Sequence, residues 1–385
     1  MEINKFLLFS VSLVLVLGVV ESFEYHEKEL ETEEGLQAMY DRWRDHHKVY
    51  ERSSDRFNVF KHNVQHVHNT NKMNKPYKLE VNQFAAMTNY EFVNTYANSK
   101  IGHNMKLRGS NPGRDPRYTG FTYENQTDLP RCLDWREKGM VAPIKSQGAC
   151  GNSSHLPPGF RIEMHKIRIH ICHFERGSCW AFAAVSTVET LNAIRTGQLV
   201  TLSEQQLVDC DSKGTQMGCD GGVVHEVFVW ITEHGGLATD ASYPYEGHKH
   251  MCDPAKFGHH SVTLDGQEDI PGLDELAVMK AVANGAVTIG MDPTGDDFML
   301  YKEGVYTLPG GSESMHAMTL VGWGETPEGL QYWIVRNSWG DWWGEKGYIK
   351  MQRGPGAPQP WGTCVMYGHP AMPRKTATCP PNNEL

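Results

Sequence analysis

Nine cysteines behind an apolar leader set the terms on which this chain can fold. Lys5 precedes an apolar run from Phe6 to Val20 that ends in small and polar residues. The run is shorter than a bilayer-spanning helix requires and no stop-transfer flank follows, so it reads as a cleaved secretory signal. No later stretch is apolar enough to span, and the remainder is expected to be a soluble protein folding in an oxidising lumen, where thiols pair. An odd cysteine count leaves at least one outside any intramolecular disulfide: a stray thiol, an intermolecular bridge or a nucleophile. Sequons at Asn125 and Asn152 fit a glycosylating compartment.

At 385 residues the chain exceeds one ordinary domain. Its net charge of −10 is spread without long blocks, which gives no footprint for nucleic acid or a membrane surface. Between Thr32 and Asn71, Met39, Trp43, Val59, Phe60 and Val67 recur at helical spacing and predict one or two amphipathic helices. Tyr77 to Phe92 reads as a short extended piece and then a turn. Asn98 to Asp128, rich in Gly, Asn, Arg and Pro, reads as a linker open to proteolysis.

From Leu129 the chain gains Trp, Gly and Cys and reads as a compact body. A helix is expected from Cys179, with Ala181, Ala184, Val185, Val188, Leu191 and Ile194 on one face and Gly197 as its stop. Ser203-Glu-Gln-Gln206 resembles a capping box opening a second helix. Short strands are expected at Val287–Met291, His316–Val321, Tyr332–Arg336 and Tyr348–Met351. Helices first and strands later predict an α+β body of two lobes.

Four residues in this order form a candidate constellation. Cys179 stands where Gly177-Ser178 gives way to the helix, a position at which the helix dipole and free N–H groups favour a thiolate. His316 lies on an alternating strand that can aim its ring at the thiol. Asn337, opening the turn after the next strand, can accept the ring N–H and hold one tautomer. Gln147 can supply an amide donor to a developing oxyanion, with the Cys179 N–H as the second.

Gln147-Gly148 with Cys150, Ser178-Cys-Trp-Ala-Phe182, Gly218-Cys-Asp-Gly-Gly222, His316-Ala317 and Asn337-Ser-Trp-Gly340 together resemble the motifs of the papain family of cysteine peptidases. The resemblance covers nearly the whole chain and implies a papain-like two-lobe fold, with a helical left lobe and a β-barrel-like right lobe. It implies Cys179 as nucleophile, His316 as acid–base group, Asn337 as ring-orienting residue, Gln147 as oxyanion donor and Trp339 as a shield over the Asn–His bond. It assigns substrate binding to Gly221, Gly222, Val224, Gly290, Ala317 and Trp339, with a residue near His369 at the base of one pocket. It pairs Cys150 with Cys219 and Cys210 with Cys252. It leaves Cys364 without a counterpart, because Gly310 or Gly311 fills that place, and it does not place Cys132 or Cys379.

Ahead of the body, Arg56, Phe60, Asn63, Val67 and Asn71 resemble the spaced motif of the family's inhibitory propeptide, with Arg52 in place of its leading Glu. A later motif survives only as Asn82 and Phe84; Glu80 replaces its Gly, and Ala86 replaces the carboxylate thought to help sense pH. The ending Asn382-Asn-Glu-Leu385 is similar to the Lys-Asp-Glu-Leu tail of plant endopeptidases of this family that are stored in endoplasmic-reticulum-derived bodies.

The expected organisation is a signal at 1–22, a propeptide and activation linker at 23–127, a peptidase domain at 128–374 and a tail at 375–385. The expected function is a cysteine endopeptidase made as a zymogen, acting on protein or peptide substrates in storage-protein mobilisation or programmed cell death. Its propeptide is the expected inhibitor. It is expected to be a monomer in the secretory pathway, in endoplasmic-reticulum-derived vesicles, vacuole or lysosome, or outside the cell. The resemblance implies no cofactor, no metal, no nucleic acid and no membrane partner.

One departure is large. The family separates its first two active-site cysteines by Gly-Ser alone, whereas here about 26 extra residues intervene near 152–177. The stretch reads as a retained intron, as a true loop over the cleft, or as a metal site of His165, His170, Cys172 and His173. If it blocks the cleft, the chain is instead a catalytically silent binding protein. If it slackens the tether on Gln147, turnover is expected to fall at least about 100-fold.

Overall fold

The computed structural model describes residues 23–50, 53–97, 121–150, 177–211, 218–257, 260–270, 274–308, 315–354 and 365–366. The signal at 1–22, Arg52, most of the linker, Asn152, the inserted stretch with its His and Cys residues, Gly310, Gly311, Cys364, His369, Cys379 and the tail lie outside them. Among the described residues no helix is long and apolar enough to cross a membrane.

The amino-terminal region holds two helices, α1 (Glu33–His47) and α2 (Ser54–Lys72), each started by a hydroxyl that accepts a first-turn N–H, from Thr32 and Ser53 respectively. Met39, Tyr40 and Trp43 of α1 are buried against Phe60, Val64 and Val67 of α2. The motif asparagines act as hooks. Asn63 Nδ2 donates to the carbonyls of Ala85 and Met87, both at 2.9 Å, and the Asn71 amide both donates to and accepts from the Leu79 main chain at 2.8 Å. Arg56 pairs with Glu91 at 2.8 Å. The extended piece is β1 (Tyr77–Leu79). The expected turn continues into α3 (Asn89–Phe92), which a Thr88–Glu91 capping box starts and which is too short to show periodicity.

In the body, α4 (Cys179–Thr196) ends at Gly197 with φ 72°. Trp180, Phe182, Ala183, Thr187 and Glu189 are buried along with the expected stripe, so α4 is a central helix covered on every side near its start. α5 (Glu204–Cys210) receives only half of the expected box: Ser203 Oγ accepts from Gln206 N at 3.0 Å. Gln206 turns its own Oε1 to the Ala238 N–H at 2.7 Å instead of back to the cap. α6 (Val224–Glu233) completes this lobe, with Val227, Phe228 and Ile231 packed in one cluster with Trp180 and Val188.

The strands are β2 (Leu133–Asp134), β3 (Glu268–Asp269), β4 (Val287–Met291), β5 (Tyr301–Tyr306), β6 (His316–Glu325), β7 (Gln331–Arg336), β8 (Tyr348–Gln352) and β9 (Val365–Met366). They run in the order β1-β5-β8-β7-β6-β4-β9-β3, with β2 on β6. The order is an open path, so among the described residues the right lobe is a connected sheet and not a closed barrel. β6 is longer than expected, and nine of its ten residues are buried, with α4 covering one face and other core clusters the rest. β1 of the amino-terminal region adds antiparallel to β5, extending the body's sheet by one strand.

Candidate active site

Cys179 is the first residue of α4, is buried, and forms no disulfide. Ser178 before it makes no side-chain cap bond and the first turn carries no acid, so the dipole and the first N–H groups favour negative charge at the sulfur. β6 brings the right lobe to it, with the Ala317 N–H pointing at Cys179 Sγ from 3.3 Å. The neighbouring His316 is fully buried.

The imidazole is held in one tautomer. Asn337 Oδ1 accepts from the Ser338 N–H at 2.8 Å, which marks that atom as an acceptor, and His316 Nε2 lies 2.8 Å from it. Nε2 therefore carries the hydrogen and Nδ1 keeps the lone pair. Among the described residues, buried Nδ1 has no hydrogen-bond partner. Trp339 stacks on the ring at 4.7 Å between centroids and 25° between planes. Burial pushes the His316 pKa down to about 4, against the opposing pull of the Asn337 bond. In this closed state the ring is a neutral base.

Gln147 is wedged between the loops. Its N–H donates to the Ser338 carbonyl at 2.8 Å, and its Oε1 accepts from Ser338 Oγ at 2.6 Å. That orientation turns Nε2 outwards, where it donates to the Tyr96 carbonyl of the amino-terminal region at 3.0 Å. Tyr245 braces the same loop from the other lobe: its hydroxyl donates to the Gln147 carbonyl at 2.8 Å and, its one hydrogen thus used, accepts from Ser178 Oγ at 2.8 Å. Nothing in a Ser-Tyr-Pro-Tyr run marks Tyr245 for this place, and Tyr96 carries no sequence signal because only its main chain is used. Ser338 lies inside a recognised motif, yet its role emerges only from the geometry.

The disulfides Cys150–Cys219 and Cys210–Cys252 both form. Cys132 is disulfide-bonded too. Of the expected pocket residues, Gly290 pairs with Ala317 across β4 and β6, and Val224 and Ala317 share a buried cluster with Cys179 and Trp180. Gly221 and Gly222 are buried where the chain enters α6. Trp339 sits on the opposite side, over His316.

The model of the papain family cysteine protease matches residues 171–373, and that of the cathepsin propeptide inhibitor domain matches residues 40–92. The first match begins inside the inserted stretch and leaves Gln147 and Cys150 outside it. The cysteine protease Amb a 11.0101 of Ambrosia artemisiifolia is 50% identical over 99% of this chain and 91% of its own. The KDEL-tailed cysteine endopeptidase CEP2 of Arabidopsis thaliana is 44% identical over 98% and 97%. A crystal structure of the Amb a 11 cysteine protease in its proform is similar at TM-score 0.78 and 48% identity, covering 90% of this chain and 98% of that one.

Proposed function

Because the chain belongs to the papain family of cysteine proteases, we propose that Cys179, His316, Asn337 and Gln147 are the working parts of its hydrolytic centre. The chain is a cysteine endopeptidase proform, and its inhibitor domain restrains it. The carrying observation is the donation from Gln147 Nε2 to the Tyr96 carbonyl, packed against Gly177 two residues before Cys179, where we place a scissile carbonyl.

In the matured enzyme the Cys179 proton passes to His316 Nδ1 and the thiolate attacks the substrate carbonyl carbon. The developing oxyanion accepts from Gln147 Nε2–H and the Cys179 N–H. His316 returns the proton to the departing amine, leaving a thioester. Water then attacks the thioester with His316 as base, releasing the acid and restoring the thiol. Asn337 keeps Nδ1 facing the sulfur throughout, and Trp339 keeps water off that bond. Gly221 and Gly222 lend main chain to the substrate, while Val224, Gly290 and Ala317 line a pocket whose small residues admit a large apolar side chain.

The boundaries expected at 1–22, 23–127, 128–374 and 375–385 are retained as our reading. So are a monomeric state, passage through the secretory pathway with a tail akin to that of the KDEL-tailed relative, and a role in bulk protein breakdown. The competing reading, a catalytically silent binding protein, draws on the interruption between Cys150 and Cys179. Labelling the matured protein with an electrophilic epoxide separates them. An enzyme takes up one label per chain at Cys179, and an unlabelled matured protein sinks the hydrolytic reading.

A further inference from the structure

On the loop that follows Tyr245, three metal-ligating side chains converge. Glu246, His248 and His250 each offer a ligand atom, and these atoms lie within 4.8 Å of one another. His250 Nε2 is 3.1 Å from Glu246 Oε2, and the two imidazoles lie 4.0 Å apart between centroids. Donor atoms around a tetrahedral zinc ion sit roughly 3.3 Å apart, a spacing reached from here by small side-chain rotations.

The main chain that carries these groups is pinned. Gln205 Oε1 accepts from the Glu246 N–H at 2.8 Å, Gln205 Nε2 donates to the His248 carbonyl at 2.7 Å, and Asp209 Oδ1 accepts from the His250 N–H at 2.7 Å. Each of the three residues is thus tied separately to α5, and the Cys210–Cys252 bridge closes the loop behind them. Gly247, at φ 76°, makes the turn that folds the loop back on itself. His248 Nδ1 lies 2.9 Å from the Glu246 carbonyl, so it donates and leaves the ring's lone pair on Nε2, the outer-shell arrangement that orients a ligating histidine. The Glu246 and His250 side chains are 44% and 39% exposed, which leaves room for water as a fourth ligand.

We propose that Glu246, His248 and His250 form a binding site for a divalent transition ion of the zinc or copper kind, held on a loop that the fold has already fixed. Two imidazoles and one carboxylate suit these ions over calcium or magnesium, which prefer all-oxygen shells. None of the three residues is among those assigned to hydrolysis, and the proposal stands whether or not the hydrolytic reading does.

The test is zinc titration of the full-length Cys179→Ala proform by calorimetry, with cysteine at the active site removed as a competing ligand. One strong site is expected, and His248→Ala or His250→Ala is expected to weaken it at least about tenfold, while His165→Ala/His170→Ala/His173→Ala leaves it unchanged. Unchanged affinity in both single variants, or loss only in the triple variant, overturns the proposal. Carbethoxylation of the unmutated histidines, read by mass spectrometry with and without zinc, guards against misfolded variants. Zinc is expected to protect His248 and His250 above the other histidines, and equal modification overturns the proposal. Copper bound to the same protein should show two-nitrogen hyperfine structure, and an all-oxygen spectrum counts against it.

Discussion

Residues of the centre differ in how directly they meet the chemistry, and variants should rank accordingly. Cys179→Ala and His316→Ala each remove a member of one unit and are expected to abolish turnover of the matured enzyme. Asn337→Ala removes only the acceptor that holds the ring, and a milder loss is expected, because Trp339 still stacks on the imidazole. Single-turnover kinetics on the three proteins checks the order, and near-normal turnover in His316→Ala would contradict the assignment. Cys179, His316 and Asn337 were legible because their motifs carry them. Gln147 was legible as a donor but not in its orientation, which depends on Ser338 Oγ claiming Oε1 from a loop 191 residues away. Tyr245 was illegible, since only folding shows that one phenol spans the Gln147 carbonyl and Ser178. That phenol also changes the expectation for the inserted stretch. Gln147, the proposed oxyanion donor, is held through Ser338 and Tyr245, and Cys150 is bridged to Cys219, so the short connection is not its only tether. Joining Gly151 to Ser178 is therefore expected to change turnover by less than about tenfold, well inside the 100-fold that a misplacement of about 1 Å would cause. Active-site-titrated rates of the two matured proteins decide it, and a gain of 100-fold on joining would show that the stretch displaces the donor.

Elements of the amino-terminal region grip the body through titratable groups whose signs can be worked out. Asp297, on the short helix Asp296–Met299, receives His66, Lys75 and Tyr77 from α2 and the segment after it. Burial raises its pKa, but hydrogen bonds from His66, Lys75 and Tyr77 outweigh this and hold the carboxyl well below the usual carboxylate range. The contribution is thus present above the ordinary value of 3.8 and is lost only in strong acid. His66 is raised, first by its bond to Asp297, so its share is present below 6.5 and is lost as the pH climbs through the higher value. Burial lifts Glu80 to about 7, with Glu303 adding to the rise and Lys302 opposing it. It is neutral in both states below 4.5, and the penalty on docking grows as the pH rises from there and is fully developed above about 7. Between pH 5 and 8 these groups tighten the grip in acid, the reverse of an acid-triggered release. Glu80→Gln in the Cys179→Ala zymogen is expected to leave the thermal midpoint unchanged at pH 5 and raise it at pH 8. A lower midpoint at pH 8 would overturn the sign. The helices and strands themselves were largely readable from periodicity and caps. The exceptions were α3, four residues long, and the burial of α4 on all sides, which small residues such as Ala183 conceal because they fit a crowded core and a loose surface alike.

At the scale of the whole molecule, the sheet of the zymogen is longer than that of the enzyme it becomes. Tyr77 faces Gly304, Lys78 faces Glu303 and Leu79 faces Tyr301, while the Val305 N–H donates to the Pro76 carbonyl at 2.7 Å. Gly304 makes that approach possible, since a Cβ there would lie 2.3 Å from the Pro76 oxygen. When the amino-terminal region leaves, a strand that was interior becomes a border, with a row of unpaired main-chain donors and acceptors facing water. Borders of this kind recruit strands from other molecules unless charge repels them. Lys302 and Glu303 lie on this strand, and their charges would face any incoming chain. Maturation therefore carries a solubility hazard that the precursor does not, and two side chains guard against it. Lys302→Val/Glu303→Val is expected to leave the zymogen monodisperse by light scattering and to make the matured enzyme self-associate within the same concentration range. If both forms stay monodisperse, the border needs no guard.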